Sequence, residues 1–85
     1  MSKFYNIKWR SKDESEARRI IRNFNDKLRR EIAKNPRNKP ALPQFYNPNT
    51  GEFESKLTFQ NFKNMVETRA DYNRELNALK RFSKR

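Results

Sequence analysis

Residues 11–34, SKDESEARRIIRNFNDKLRREIAK, decide the fold. Within them Ala17, Ile20, Ile21, Phe24, Leu28 and Ile32 recur at spacings of three and four, the period of a helix with one apolar stripe. Ser11 followed by Glu14 has the form of a capping box, and Asp13 and Glu16 stand where the helix dipole favours acids, so a helix is expected over 11–34. Outside the stripe lie Arg18, Arg19, Arg22, Lys27, Arg29 and Arg30, answered between residues 18 and 31 only by Asp26 and Glu31. Arg18, Arg22 and Arg29 can share one side of such a helix. That makes a ladder of guanidinium forks able to grip phosphates.

Working outward, Tyr5, Ile7 and Trp9 alternate with polar residues in a short extended arm over residues 1–10. Pro36, Pro40 and Pro43 end the helix and should forbid another in a connector that runs, with its turn, over 35–57. Asn47-Pro48-Asn49-Thr50-Gly51 reads as a tight turn, with Phe45-Tyr46 and Phe53 as arms of a small hairpin leaning on the helices. Thr58 can cap a short helix bearing Phe59, Phe62 and Val66. Thr68 followed by Asp71 resembles a second capping box, opening a helix with Tyr72, Leu76, Leu79 and Phe82 in a stripe within a helical part spanning 58–85. The expected fold is one small, mainly α domain of two longer helices and one short helix, with a short extended N-terminal arm or hairpin.

The charge is lopsided. Among 85 residues 21 are Lys or Arg and 10 are Asp or Glu, a formal net charge of +11. Residues 1–40 hold thirteen bases against five acids, 41–66 two against two, and 67–85 six against three. Such concentrated positive charge selects polyanionic partners, nucleic acid first. With no Cys and no His the chain lacks disulfides, thiolate ligands and the commonest general base. Asp71 with Glu75, and Asp13 with Glu14 and Glu16, could be imagined as paired carboxylates or a magnesium site, but helix starts explain both groups. We therefore expect no enzyme, no cofactor, no metal and no small-molecule substrate. No apolar run approaches the roughly 20 residues of a membrane span, so membranes are not expected as partners.

In the last helix Arg69, Arg74, Lys80, Arg81, Lys84 and Arg85 are interleaved with Asn73 and Asn77, whose amides can bond phosphates or base edges. Of the rings Trp9, Phe45, Tyr46, Phe53, Phe59 and Phe62, most are expected in a core poor in Val, Leu and Ile. Trp9 and Tyr46, set among polar residues, are the candidates to stack on bases.

Ile7-Lys8, the helix Asp13 to Lys34 and the run Thr68-Arg69-Ala70-Asp71-Tyr72-Asn73-Arg74 resemble the N-terminal domain of phage terminal proteins. Those proteins prime replication of linear genomes in small tailed phages of Gram-positive hosts. Asp71 to Arg85 is also similar to a segment of longer phage proteins. In that family the domain is helical and basic and binds DNA without sequence preference, so the resemblance implies such binding by Lys8, Arg69 and Arg74. It does not carry over priming, whose hydroxyl belongs to a separate C-terminal domain. The Pro-rich connector with Asn47 to Gly51 is an insertion relative to the family pattern. The basic end leads us to expect one domain of a longer protein.

The expectation is therefore sequence-independent binding of duplex DNA by Lys8, Arg18, Arg22, Lys27, Arg29, Arg30, Arg69, Arg74, Lys80 and Arg81, in phage replication or genome handling. The setting would be the host bacterial cytoplasm or the virion, with a phage or host replication protein as a further partner. The alternatives are an inhibitor that binds an acidic surface of a host or defence protein, and an RNA-binding protein.

Overall fold

The computed structural model describes residues 9–84. The arm through Tyr5 and Ile7, together with Lys8 and Arg85, lies outside the described residues. Three α-helices, α1 (Ser11–Lys34), α2 (Phe59–Met65) and α3 (Arg69–Lys84), are joined by a 3-10 helix (Pro36–Ala41) and a hairpin of β1 (Phe45–Asn47) and β2 (Glu52–Glu54). The protein is mainly helical, as its hydrophobic periodicity dictates.

The start of α1 departs from the expected box by one residue. Ser11 is already helical and Arg10 is the N-cap, its carbonyl accepting the first helical bond from the Glu14 amide at 3.0 Å. An arginine side chain cannot accept a hydrogen bond, so only the returning half of a capping box works. Asp13 takes the Arg10 amide at 3.4 Å and its Nε at 3.1 Å. The cap shifts because Asp13 is also drawn inward to Arg69, 56 residues away, at 3.0 Å.

The apolar stripe of α1 is buried as its spacing requires. Ala17, Ile20, Ile21, Phe24 and Leu28 pack against Leu57, Phe62, Val66, Tyr72, Leu76 and Leu79, with Ile32, Phe45, Phe59 and Phe82 at the edges. Asp13 and Glu16 meet Arg69 and Tyr72 near one end, and the Phe24 and Phe82 ring centroids lie 5.0 Å apart further on. Residue numbers thus rise together along both long helices, which run side by side in parallel. Their N-termini share one end and their C-termini the other.

The connector carries a correction. Pro36 to Ala41 form a 3-10 helix despite two prolines, because Pro36 sits in its first turn, where no amide is needed, and proline's fixed φ suits 3-10 geometry. The hairpin pairs Phe45 with Glu54, Tyr46 with Phe53 and Asn47 with Glu52. Its turn closes through the Asn47 carbonyl, which accepts from the amides of Thr50 at 3.2 Å and Gly51 at 2.8 Å, and among the described residues Gly51 alone takes a positive φ, +74°. A side chain at that φ would be strained, which explains the single glycine. Phe45 leans on Phe24, whereas Tyr46 and Phe53 face solvent and pair with each other, centroids 5.5 Å apart.

Thr58 and Thr68 cap α2 and α3. Their hydroxyls accept the Asn61 and Asp71 amides, each at 3.1 Å. Asp71 reaches back to the Glu67 amide at 3.3 Å rather than to that of Thr68. Two amide side chains, half-buried Asn25 and buried Asn61, then tie the loops down. Asn25 exchanges two hydrogen bonds with the Leu57 backbone, 2.8 and 2.9 Å, and Asn61 donates to the Tyr46 carbonyl at 2.8 Å. Both satisfy backbone groups that no strand or helix could pair.

Candidate nucleic-acid interface

At 100° per residue, Arg18, Arg29 and Arg22 fall within about 40° of one another on α1, with Asp26, Arg19 and Arg30 following around the exposed arc. The expected ladder therefore exists. Arg18, Arg22 and Arg29 line one furrow of about 310 Å³ with Asp26, Lys56 and Phe59. Its far wall is the segment that Asn25 pins at Leu57, so a polar bond inside the fold sets the position of Lys56 opposite the arginines.

A second furrow of about 370 Å³ runs between the long helices, lined by Ile20, Asn23, Asp26 and Arg30 of α1 and by Lys80, Ser83 and Lys84 of α3. Parallel packing makes this furrow, because it sets the basic C-terminal turn of α3 alongside the basic stretch of α1. Asp26 borders both furrows.

The cations differ in how free they are. Arg29 pairs with Asp26 at 3.0 Å and Arg18 with Glu14 at 4.0 Å, both between largely exposed groups, where such pairs contribute little and break readily. Among the described residues Arg19, Arg22, Arg30, Lys56, Lys80, Arg81 and Lys84 carry no ion pair. Lys27 does not join them: its stem is largely covered and its ammonium lies 3.4 Å from Glu31. Arg81 lies away from both furrows, at the rim of an apolar cavity of about 500 Å³ whose lining includes Phe24, Phe45, Leu57, Met65 and Phe82.

Arg69 and Arg74 have other work. Arg69 bonds Asp13 and lies over the Tyr72 ring, 4.7 Å from its centroid. The Arg10 guanidinium, followed by that of Arg69, holds the Asp13 carboxyl far below the usual carboxylate range. The same contact with Asp13 raises Arg10. Arg74 pairs with Asp71 at 2.6 Å and lies 3.9 Å from Glu75. Burial works against ionisation of Asp71, but the Glu67 amide and the Arg74 guanidinium outweigh it and leave its pKa lowered. Tyr72 lies with its hydroxyl 3.0 Å from the Glu16 carboxylate and 3.1 Å from the Asp13 carbonyl, and burial, reinforced by Glu16, pushes its pKa up. Of the acidic groups considered for chemistry, Asp13 and Glu16 thus tie the starts of α1 and α3 together, Asp71 holds the start of α3, and Glu14 and Glu75 lie beside arginines of their own helices.

Rings beside the basic face are already occupied. Phe59 lies under the Arg18 guanidinium, 4.3 Å from the ring centroid, and Lys63 lies 5.6 Å from the same ring. Trp9, one of the two candidates to stack on bases, is half-buried and meets Phe59, Phe62 and Tyr72 edge-on, with centroids 5.5 to 6.2 Å apart. Among the described residues Tyr46 and Phe53 are the open rings, on the hairpin. Lys56 was not legible as a site residue, since nothing in its immediate sequence marks it. Lys84, counted among the bases of the last helix but left out of the expected binding set, joins Lys80 in the second furrow.

No helix among the described residues is long and apolar enough to cross a membrane. Comparison of the chain with protein families, with curated proteins and with solved structures finds no match.

Proposed function

We propose that this protein binds duplex DNA through its phosphates, without reading sequence. The observation that carries the proposal is the pair of basic furrows flanking the exposed arc of α1, with three arginines and Lys56 on one side and Arg30, Lys80 and Lys84 on the other. Guanidinium and ammonium groups free of partners can replace condensed counterions along a backbone, and the release of those ions drives association. Phe59, which lines the first furrow, is covered by cations, and the exposed Tyr46 and Phe53 stand outside both furrows, which favours a paired ligand over unpaired bases stacked along the basic face. Arg69 and Arg74 then serve the fold, and Arg18, Arg22, Arg29, Arg30 and Lys80 carry the binding.

The resemblance of α1 and of Thr68 to Arg74 to phage terminal proteins supports a role in phage replication or genome handling, in the host bacterial cytoplasm or the virion. A replication protein would be the further partner. Asn73 and Asn77 lie on the exposed side of α3 beside Lys80, yet a single module offers few rigid base contacts. Affinity for random duplexes of equal length should vary less than about tenfold, or about 1.4 kcal/mol. A second reading, docking on an acidic protein surface, is favoured by the apolar cavity rimmed by Arg81 and the exposed Met65.

Gel-shift titrations with duplex DNA, single-stranded DNA and duplex RNA at two salt concentrations test the proposal. Phosphate binding gives a log–log salt slope near −0.9 per contact on duplex DNA. A nearly flat dependence, or a complex only with a protein partner, would replace it with the second reading.

A further inference from the structure

The two furrows lie on opposite flanks of one helix, and the ridge between them is α1 itself, with Asp26 at the border of both. An α-helix with its side chains is about 10 to 12 Å across. The major groove of B-form DNA is about 12 Å wide and about 8.5 Å deep, with one sugar-phosphate strand on each side, and it admits one helix. The minor groove, about 6 Å wide, does not. A ridge of helical diameter with a cationic furrow on each flank is the complement of that groove.

Resting on the duplex-binding reading, we infer that α1 lies in the major groove of B-form DNA, with one strand in the Arg18–Arg22–Arg29–Lys56 furrow and the other in the Arg30–Lys80–Lys84 furrow. The reach is adequate: Arg18 and Arg29 are eleven residues apart, about 16 Å along the axis. Asp26 then points between the strands toward base edges, away from both backbones, the one place on this face where an acid repels phosphate least. Its bond to Arg29 at 3.0 Å holds that guanidinium beside the ridge until a phosphate competes for it. A-form RNA has a deep, narrow major groove that excludes this ridge, so the geometry also selects DNA over duplex RNA.

Three measurements test the inference, all on the whole chain by fluorescence anisotropy. The first compares an unmodified duplex with one whose cytosines carry a glucosylated hydroxymethyl group at C5, which fills the major groove, and with one saturated with netropsin, which fills the minor groove. The glucosylated duplex should bind at least about tenfold more weakly, a loss of about 1.4 kcal/mol, while the netropsin-bound duplex should bind nearly as the free one does. The second compares duplex DNA with duplex RNA of the same sequence, and RNA should be weaker by a similar factor. The third is Asp26→Asn, which frees Arg29 for phosphate and should raise duplex affinity about fivefold, the upper end of what an exposed ion pair holds back. Equal binding of the glucosylated duplex, displacement by netropsin, equal affinity for RNA, or no gain from Asp26→Asn would each overturn the docking mode. Failure to bind any duplex at low salt would instead sink the duplex-binding reading on which it rests.

Discussion

Replacing Arg18, Arg22 and Arg29 together with Ala removes one wall of a basic furrow without touching the core, since all three are exposed on α1. The folded state should lose little. The Arg29–Asp26 and Arg18–Glu14 pairs are exposed, and such pairs are worth roughly 0 to 1 kcal/mol each. Arg18 over Phe59 adds about 0.5 to 1 kcal/mol for an exposed cation–π contact. Ala recovers part of this, being a slightly better helix former than Arg. The mutant should therefore fold, with a modest drop in melting temperature.

Binding should change far more. If each arginine holds one phosphate, the salt slope falls by about 2.7, or 0.9 per contact. Between 50 and 200 mM salt the parent's affinity should then fall about 40-fold more steeply than the mutant's. Arg22, with no ion pair among the described residues, should contribute fully, whereas Arg29 must first leave Asp26, and Asp26 left alone repels phosphate. Anisotropy titrations of a labelled random duplex across that salt range, with circular dichroism of each variant, read both quantities. A folded triple mutant with the parent's slope would show that phosphate binds elsewhere on the molecule.

In the core, Phe62→Ala and Leu76→Ala should each cost on the order of 2 to 5 kcal/mol in thermal or urea unfolding, since both side chains are buried and a small domain collapses poorly around a void. Parental melting of both would mean that the helix faces are wrong. Asn25→Ala removes both bonds to the Leu57 backbone and leaves its polar groups unpaired, a loss of about 1 to 3 kcal/mol, and by loosening Lys56 it should also weaken duplex binding; unchanged stability would refute the bond's role. Asp13 is held below its ordinary pKa by Arg10 and Arg69, so its contribution is present above the unfolded value, near pH 4, and is lost as pH falls below it. The melting temperature of the parent should drop through that range, and that of Asp13→Asn, lower at neutral pH, should change less; parallel acid curves would show that Asp13 does not govern acid stability.

What the sequence made legible were the features whose cause is local. The stripe from Ala17 to Leu28 needs only a 3.6-residue period, the caps at Thr58 and Thr68 need only neighbouring amides, and the hairpin needs only Gly51 at a positive φ. The misread features have distant causes. The cap of α1 moved to Arg10 because Arg69 draws in Asp13, and Trp9 is half-buried because three rings from α2 and α3 surround it. Leu57 stayed hidden for the same reason, since its backbone is held by Asn25, 32 residues earlier, and its side chain is buried in the core that the helices build together. Within the candidate interface the arginine ladder was readable from spacing along one helix. The second furrow was not, because it exists only once α3 packs parallel to α1.

Parallel packing also separates what stabilises this fold from what binds. It gathers Asp13, Glu16 and Asp71 at the shared N-terminal end, where both helix dipoles favour acids, and there Arg10, Arg69 and Arg74 are spent on neutralising them. Bases accumulate toward the other end, where both dipoles favour cations and few acids remain. Asp13 and Arg30 are seventeen residues apart on α1, about 25 Å, or three times the screening length of about 8 Å at physiological salt. The acidic cluster therefore cannot damp the field at Arg29, Arg30, Lys80 and Lys84, although at Arg18, only about 8 Å along the axis from Asp13, it still can. Phosphate affinity should thus rise along α1 from Arg18 toward Arg30, giving a bound duplex a stronger grip at the C-terminal end of the ridge.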